Sequence, residues 1–244
     1  FRGEPLRSGN EIQLLMDDYI VEDRWKLTRR VGTVVKHMRN PILVQDKPWE
    51  GRIGLYASVL YDEKMHKYRM WYENVHMKYY FDRPKGSRGA ASSIAYAESD
   101  DGFNWTKPLL EGFPFDGYPR TNVVCTGRGG RWASAFQVMF NPDQSDPQKR
   151  FLMLLVSGGV SRAYSPDGLH WNIEEKPLLP YHSDFPNNLV HVPELKLWYL
   201  YVRSSIRPNG MGTLPEGVRH TGRRLAMSSS SDFTNWSMPR TVLY

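Results

Sequence analysis

One phrase recurs along this chain and constrains its fold more than any other feature. Residues 94–110 read IAYAESDDGFNWTKPLL, around a core of Ser99-Asp100-Asp101-Gly102-Phe103-Asn104-Trp105. The phrase returns as Ser165-Pro166-Asp167-Gly168-Leu169-His170-Trp171, and more loosely as Ser230-Ser231-Asp232-Phe233-Thr234-Asn235-Trp236. The tryptophans lie 66 and then 65 residues apart. A fixed period of that size indicates a repeat architecture. Each copy has hairpin chemistry. An alternating run enters it (Ile94 and Tyr96, or Leu225 and Met227). Asp-Gly then turns the chain, because glycine accepts positive φ and aspartate caps its own backbone. A proline follows each tryptophan (Pro108, Pro177, Pro239), which suits an outer edge strand that donates nothing to a ladder.

The rest of the chain falls into register around these hairpins. In the first unit, residues 55–61 and 68–72 read as strands flanking a polar turn, followed by 94–97 and 105–110. The second unit repeats this as 134–140, 151–156, 160–164 and 171–179, and the third as 188–192, 197–202, 224–227 and 236–243. A four-stranded antiparallel meander is a propeller blade. The expectation is therefore an all-β fold, one β-propeller domain over residues 1–244, with blades at about 50–110, 132–179 and 184–244. Residues 1–45 are expected to hold N-terminal strands: two short ones around a turn in 11–22, and an outer strand at 28–36. Three blades and a stray strand do not close a ring. The chain therefore reads as the N-terminal part of a longer propeller, or as one that completes itself by association.

In a meander the first-to-second and third-to-fourth turns share one face, where only tight turns occur here. The opposite face receives the long insertions 73–93, 111–133, 180–187 and 203–223. Loops on one rim of a rigid scaffold are where sites are built. Composition agrees with a wet, aromatic-lined surface: 13% aromatic, with 8 Trp and 14 Tyr. No apolar run approaches the ~20 residues that span a bilayer, so no membrane partner is expected. The net charge of +6 comes without a basic helix or Lys/Arg run, which argues against nucleic acid. The single Cys125 excludes an internal disulfide. The histidines lack metal-ligand spacing, so no metal or other cofactor is expected. The expected location is secreted or periplasmic.

The paired phrases Leu60-Tyr61-Asp62 and Tyr68-Arg69-Met70-Trp71-Tyr72, with 99–105 and 165–171, resemble the five-bladed β-propeller glycosidases, the invertase, levansucrase and arabinanase group. The start LLMDDYIVE, the segment 40–43 and Trp49-Glu50-Gly51 are similar to a bacterial glycosidase-like branch. The resemblance implies a carbohydrate-active protein, in first place a glycoside hydrolase cleaving a poly- or oligosaccharide. A non-catalytic carbohydrate-binding propeller and a glycoside phosphorylase are the alternatives. The WMNDPNG-type, RDP and EC motifs of invertase-like enzymes are absent.

Glycoside hydrolysis uses two carboxyls, one protonated acid and one base or nucleophile. In the resembled group these sit at the starts of innermost strands. On that basis Glu50 is the expected acid and Asp184 the expected base or nucleophile, with Glu73 and Asp116 next in line. The substrate-binding set comprises Trp49, Arg52, Glu73, Asp116, Arg131, Trp132, Asn187, Asn188 and Arg203, with Trp49 and Trp132 as sugar-stacking platforms. The structural alternative for Glu50 is a salt bridge to Arg52, for Asp184 and Asp116 a turn, and for Glu73 a rim charge. The loops 74–93, 111–133 and 203–224 carry twelve Lys/Arg against four acids, an excess that would steer an anionic glycan.

Overall fold

The computed structural model describes residues 9, 18, 21, 24–81, 91–128, 132–179, 183, 187–204 and 224–243. The chain divides into two compact units, Phe1–Asn40 and Pro41–Tyr244. In the first, residues 24–40 form no strand, and Asp18 holds Arg24 at 3.0 Å and also pairs with Arg29. The outer strand expected at 28–36 is thus absent. Among the described residues this stretch has no ladder partner, and Val31, Val34 and Val35 all stand exposed. The strands expected in 11–22 lie outside the described residues, apart from Asp18 and Val21.

The second unit is three four-stranded antiparallel sheets in simple up-and-down order. Blade 1 comprises β1 (Arg52–Asp62), β2 (Lys67–Val75), β3 (Ser92–Ser99) and β4 (Val123–Cys125). Blade 2 comprises β5 (Ser134–Phe140), β6 (Phe151–Val156), β7 (Val160–Ser165) and β8 (Asn172–Ile173). Blade 3 comprises β9 (Asn188–Val192), β10 (Leu197–Ser204), β11 (Arg224–Ser230) and β12 (Arg240–Leu243). The one α-helix among the described residues is the five-residue α1 (Met77–Phe81).

Blade 1 departs from the expected pattern at its edge. The stretch 105–110 keeps one bridge, Glu98 to Thr106, and the chain then leaves the sheet. It makes a small hairpin, with bridges Leu110–Thr121 and Phe115–Tyr118, and returns as β4 beside Ile94 and Ala95. Pro108 interrupts the ladder where the excursion starts. The long segment after residue 111 is therefore largely an insertion within the outer strand, not a connection between blades.

The three repeated turns have the chemistry that their residues predict. Ser99 Oγ accepts from the backbone of Asp101 and Gly102, while Asp101 accepts from Phe103 and Asn104. Trp105 Nε1–H closes the loop on the Gly102 carbonyl at 3.0 Å. Asp167 and Asp232 repeat the aspartate pattern. Gly102 and Gly168 both take φ 76°, and the third copy puts Phe233 in the same left-handed region at 58°. There Trp236 Nε1, though buried, has no hydrogen-bond partner among the described residues, and Arg162 donates to the Phe233 carbonyl at 2.8 Å.

These turns also join the blades. Arg69 of β2 donates to the Asp167 carbonyl, and Trp71 donates to Gly168 at 2.7 Å. Trp71 is completely buried, packed on Phe151 and edge-on to Trp171. Arg69 is anchored behind by buried Asp62, which Arg150 of blade 2 also contacts. Burial alone would raise the Asp62 carboxyl, but the two guanidiniums outweigh it and hold it low.

Candidate functional site

Strand parity sorts the polar residues at the loop end of blade 1 into two groups. β2 is buried on both faces, so successive side chains enter different environments. Trp71 and Glu73 face blade 2; Tyr72, Asn74 and His76 face away from it, as their partners below show.

Glu50 belongs to the second group. Its Oε1 accepts from Tyr72 Oη at 2.5 Å and from Lys107 Nζ at 2.7 Å. Its Oε2 accepts from the backbone N–H groups of Asp46 (3.0 Å) and Lys47 (3.1 Å) and from Lys107 at 2.8 Å. The carboxylate is fully enclosed, and its cation is Lys107, not Arg52. Glu50 thereby ties residues 44–50 to blade 1, and Lys107 adds a bond to the Val44 carbonyl. Against this pair, burial drives the Tyr72 hydroxyl far above its ordinary value, reinforced by Glu50. Trp49 lies in the same core with its indole N–H on Asn122 Oδ1 at 2.8 Å. A ring only 5% exposed is not open to stack on a sugar. Asp116 stands exposed at the hairpin tip with φ 49° and accepts from Tyr79 Oη at 2.7 Å. Nearby His76 packs on Phe115, and burial lowers its pKa.

Glu73 occupies the other face. Its Oε1 meets the hydroxyls of Ser92 at 3.2 Å and of Ser134, a close hydrogen bond. The backbone N–H of Leu55 also reaches its carboxyl. Its side chain rests over Gly54 of β1, where even a Cβ would come within 2.8 Å of Glu73 Cβ and Cδ. The glycine in an otherwise apolar strand is what lets this carboxyl lie over the innermost strand. Burial pushes the Glu73 carboxyl above the usual carboxylate range, against the opposing donors Ser134, Ser92 and Leu55 and the charge of Arg52. Arg52 itself is exposed at the start of β1. Trp132, half-buried just before β5, tilts against Tyr80 of α1 at 5.7 Å.

Blade 3 borders this end. Asn187 is buried and donates from Nδ2 to the Ala135 carbonyl at 3.2 Å. Asn188 starts β9 exposed, and the Arg203 N–H closes β10 on Ser183 Oγ at 3.0 Å. Asp184 and Arg131 lie outside the described residues, so the pairing of Asp184 with Glu50 has no geometry. The structure brings Glu73 together with Ser92, Ser134, Gly54 and Arg52. Neither serine nor the glycine stood out beforehand, although a lone glycine inside a strand is a signal of close approach.

No family model matches the chain, and no curated protein sequence does. Among solved structures, a β-fructofuranosidase from Schwanniomyces occidentalis complexed with fructosyl-erythritol is similar at a TM-score of 0.52. The two are 10% identical, over 82% of this chain and 36% of that one. The fold is a β-propeller. An N-acetylgalactosamine deacetylase from F. plautii gives a TM-score of 0.49 at 14% identity, over 81% of this propeller and 56% of that chain. The GH62 α-L-arabinofuranosidase catalytic domain of Coprinopsis cinerea gives 0.46 at 13%, over 77% and 50%. The propeller described here thus spans between 36% and 56% of these three chains.

Proposed function

We propose that this propeller is a glycoside hydrolase acting on an oligo- or polysaccharide, with Glu73 as the proton donor to the leaving oxygen. The observation that carries the reading is Glu73 itself. It is a nearly buried carboxyl at the long-loop end, seated over a glycine of an innermost strand, with its pKa raised by burial. A carboxyl whose proton affinity is raised by its surroundings is what general-acid catalysis favours. The fold it shares with a β-fructofuranosidase supports a carbohydrate as the ligand. The second carboxyl is assigned to Asp184, on the sequence alone; the chain on either side of it is anchored at Ser183 and Asn187. Glu50, saturated by Lys107, Tyr72 and two backbone amides, is assigned a structural role.

The finer proposal is an anionic glycan. Of the twelve rim cations, Arg120 already pairs with Glu111 at 3.0 Å and Arg128 donates to the Glu174 carbonyl. The Glu111 carboxylate offsets the charge of Arg120, whereas the neutral carbonyl leaves Arg128 cationic; salt would weaken the steering.

A panel of neutral and uronic-acid oligosaccharides, incubated with the protein and with Glu73→Gln, tests the reading. Turnover by the parent, falling ~10²–10⁴-fold in the variant, is expected for loss of a general acid. Equal turnover by both would refute the role of Glu73. Saturable glycan binding with no turnover by either would select the carbohydrate-binding alternative.

A further inference from the structure

Glu73 of blade 1 takes a close hydrogen bond from Ser134, the first residue of β5 in blade 2. The backbone that presents this serine is irregular. From Ser134 to Gln137 the chain advances three residues, while their ladder partners on β6, Val156 and Leu154, are two apart. β5 therefore carries one extra residue, a bulge of the kind that re-aims side chains. Directly after Ser134, Ala135 takes φ 47°, where a residue with a Cβ is held at a steric cost.

Such an outlier persists when its surroundings over-determine it. Here blade 3 does so. Asn187, the residue before β9, donates from Nδ2 to the Ala135 carbonyl at 3.2 Å. At the far end of the bulge the Gln137 side chain brackets Leu189. Its Oε1 accepts from the Leu189 N–H at 2.6 Å, and its Nε2 donates to the Leu189 carbonyl at 3.4 Å. On the near side, the Ala133 backbone is bonded to Ser92 of blade 1. Asn187 is completely buried, yet its Oδ1 has no hydrogen-bond partner among the described residues. An enclosed amide with an unmet acceptor costs stability and calls for a reason. The one bond its side chain makes among the described residues is the hold on Ala135.

We infer that Asn187 is a positioning residue for Glu73: it holds Ala135 in the left-handed region and thereby keeps Ser134 on the carboxyl. The inference rests on the reading of Glu73 as the acid and deepens it. Asn187, expected from the sequence to bind substrate, is too enclosed to touch a glycan and acts through β5 instead. The path Asn187–Ala135–Ser134–Glu73 crosses all three blades, so the seating of blade 3 sets a donor on an acid of blade 1. Ser134 donates to Glu73 and favours its carboxylate, so withdrawing the serine raises the proton affinity. The other charged or titratable side chains on the strands packed about Glu73 are Arg52, Tyr56, Tyr61 and Asp62 of β1 and Tyr96 and Glu98 of β3; β5 carries none. Of these, Arg52 acts on the Glu73 carboxyl. Asp62 is held by Arg69 and Arg150, Glu98 by Lys67 at 2.7 Å, and Tyr96 Oη by Arg69 at 2.9 Å.

The test is a carbon-13 NMR titration of the Glu73 carboxyl, assigned by its loss in Glu73→Gln. Asn187→Ala is expected to raise the midpoint, as Ser134→Ala does, because each removes the same donor from the carboxyl. Asn187→Leu, closer in volume, keeps the measurement available where Asn187→Ala does not fold. Two double variants separate positioning from a general loosening of the fold. Ala135→Gly accepts positive φ without a Cβ, so adding it to Asn187→Ala is expected to bring the midpoint back toward the parental value. Adding Asn187→Ala to Ser134→Ala is expected to move the midpoint no further than Ser134→Ala alone. An unmoved midpoint in the Asn187 variants, a shift that adds to that of Ser134→Ala, or one that Ala135→Gly leaves unchanged would overturn the inference. The expected shifts in a protein that hydrolyses no glycan would leave the role of Asn187 standing and refute the hydrolase. Turnover lost in Glu73→Gln, with an unmoved midpoint in Asn187→Ala, would do the reverse.

Discussion

Replacing Gly54 by alanine tests the central geometric claim, that Glu73 lies over the inner strand because β1 has no side chain there. A Cβ at position 54 would sit 2.8 Å from Glu73 Cβ and Cδ, with Oε2 nearer still, whereas ordinary contact begins at 3.4 Å. The Glu73 side chain must therefore retreat by at least the difference, 0.6 Å. Its Cβ is fixed to β2, so part of that movement falls on the backbone. Overpacking of this kind costs ~1–3 kcal/mol. In a unit of this size each kcal/mol lowers Tm by ~2–4 °C, so a fall of ~2–12 °C is expected by calorimetry. A displacement of about an ångström in a reacting group costs on the order of 10²-fold in rate. Gly54→Ala should thus lose ~10–100-fold in kcat on whichever glycan the parent turns over. The double variant with Glu73→Gln isolates the path. If alanine acts only through Glu73, it removes no further activity once Glu73 is gone, although the stability loss remains. Parental Tm and parental turnover in Gly54→Ala would refute the reasoning. So would full additivity of the two activity losses.

Three further outcomes follow from the same contacts. Lys107→Met leaves the Glu50 carboxylate enclosed without its cation, and should cost ~3–5 kcal/mol in a denaturant titration; a loss under ~1 kcal/mol would show that Tyr72 and the two amides suffice. Burial alone would raise Asp167, but the backbone and side chain of His170, with Leu169 and Ser165, bring it down to about 2. Its folded pKa thus lies below the unfolded value of ~3.9, so its contribution is present above that pH and is lost as pH falls through about 2. Asp167→Ala should therefore be less stable than the parent at neutral pH and lose that disadvantage in acid; a pH-independent difference would contradict this. Phe233→Gly removes a left-handed non-glycine residue, a gain of ~1 kcal/mol. It also deletes a ring packed 4.4 Å from Trp198 and 4.7 Å from the Arg162 guanidinium. For a half-buried ring the packing loss of roughly 2–3 kcal/mol should win, leaving a net destabilisation of ~1–2 kcal/mol by chemical unfolding; a more stable variant would show that the strain is the larger effect.

What the amino-acid sequence determined by itself was the local architecture. Ser-x-Asp-Gly turns close through bonds between residues two and three positions apart, and alternating apolar runs make strands wherever one face is buried. Those interactions are written in neighbouring residues, so three four-stranded meanders were legible, down to most strand bounds in blades 2 and 3. Glu73, Asn187 and the long-loop face were legible as candidates too. Which carboxyl is paired with a buried cation was not. Glu50 and Glu73 both stand near strand ends, and nothing nearby in the chain distinguishes them. Lys107, 57 residues from Glu50, neutralises one. Ser134, 61 residues from Glu73, and Gly54 on the opposing strand receive the other. The same holds for the edge of blade 1, where the outer strand resumes at Val123 only after an excursion that packs on Trp49 and His76. Burial and proton affinity depend on what surrounds a group in space. Chain order sets the strands; their parity and the residues brought in from distant segments set the chemistry.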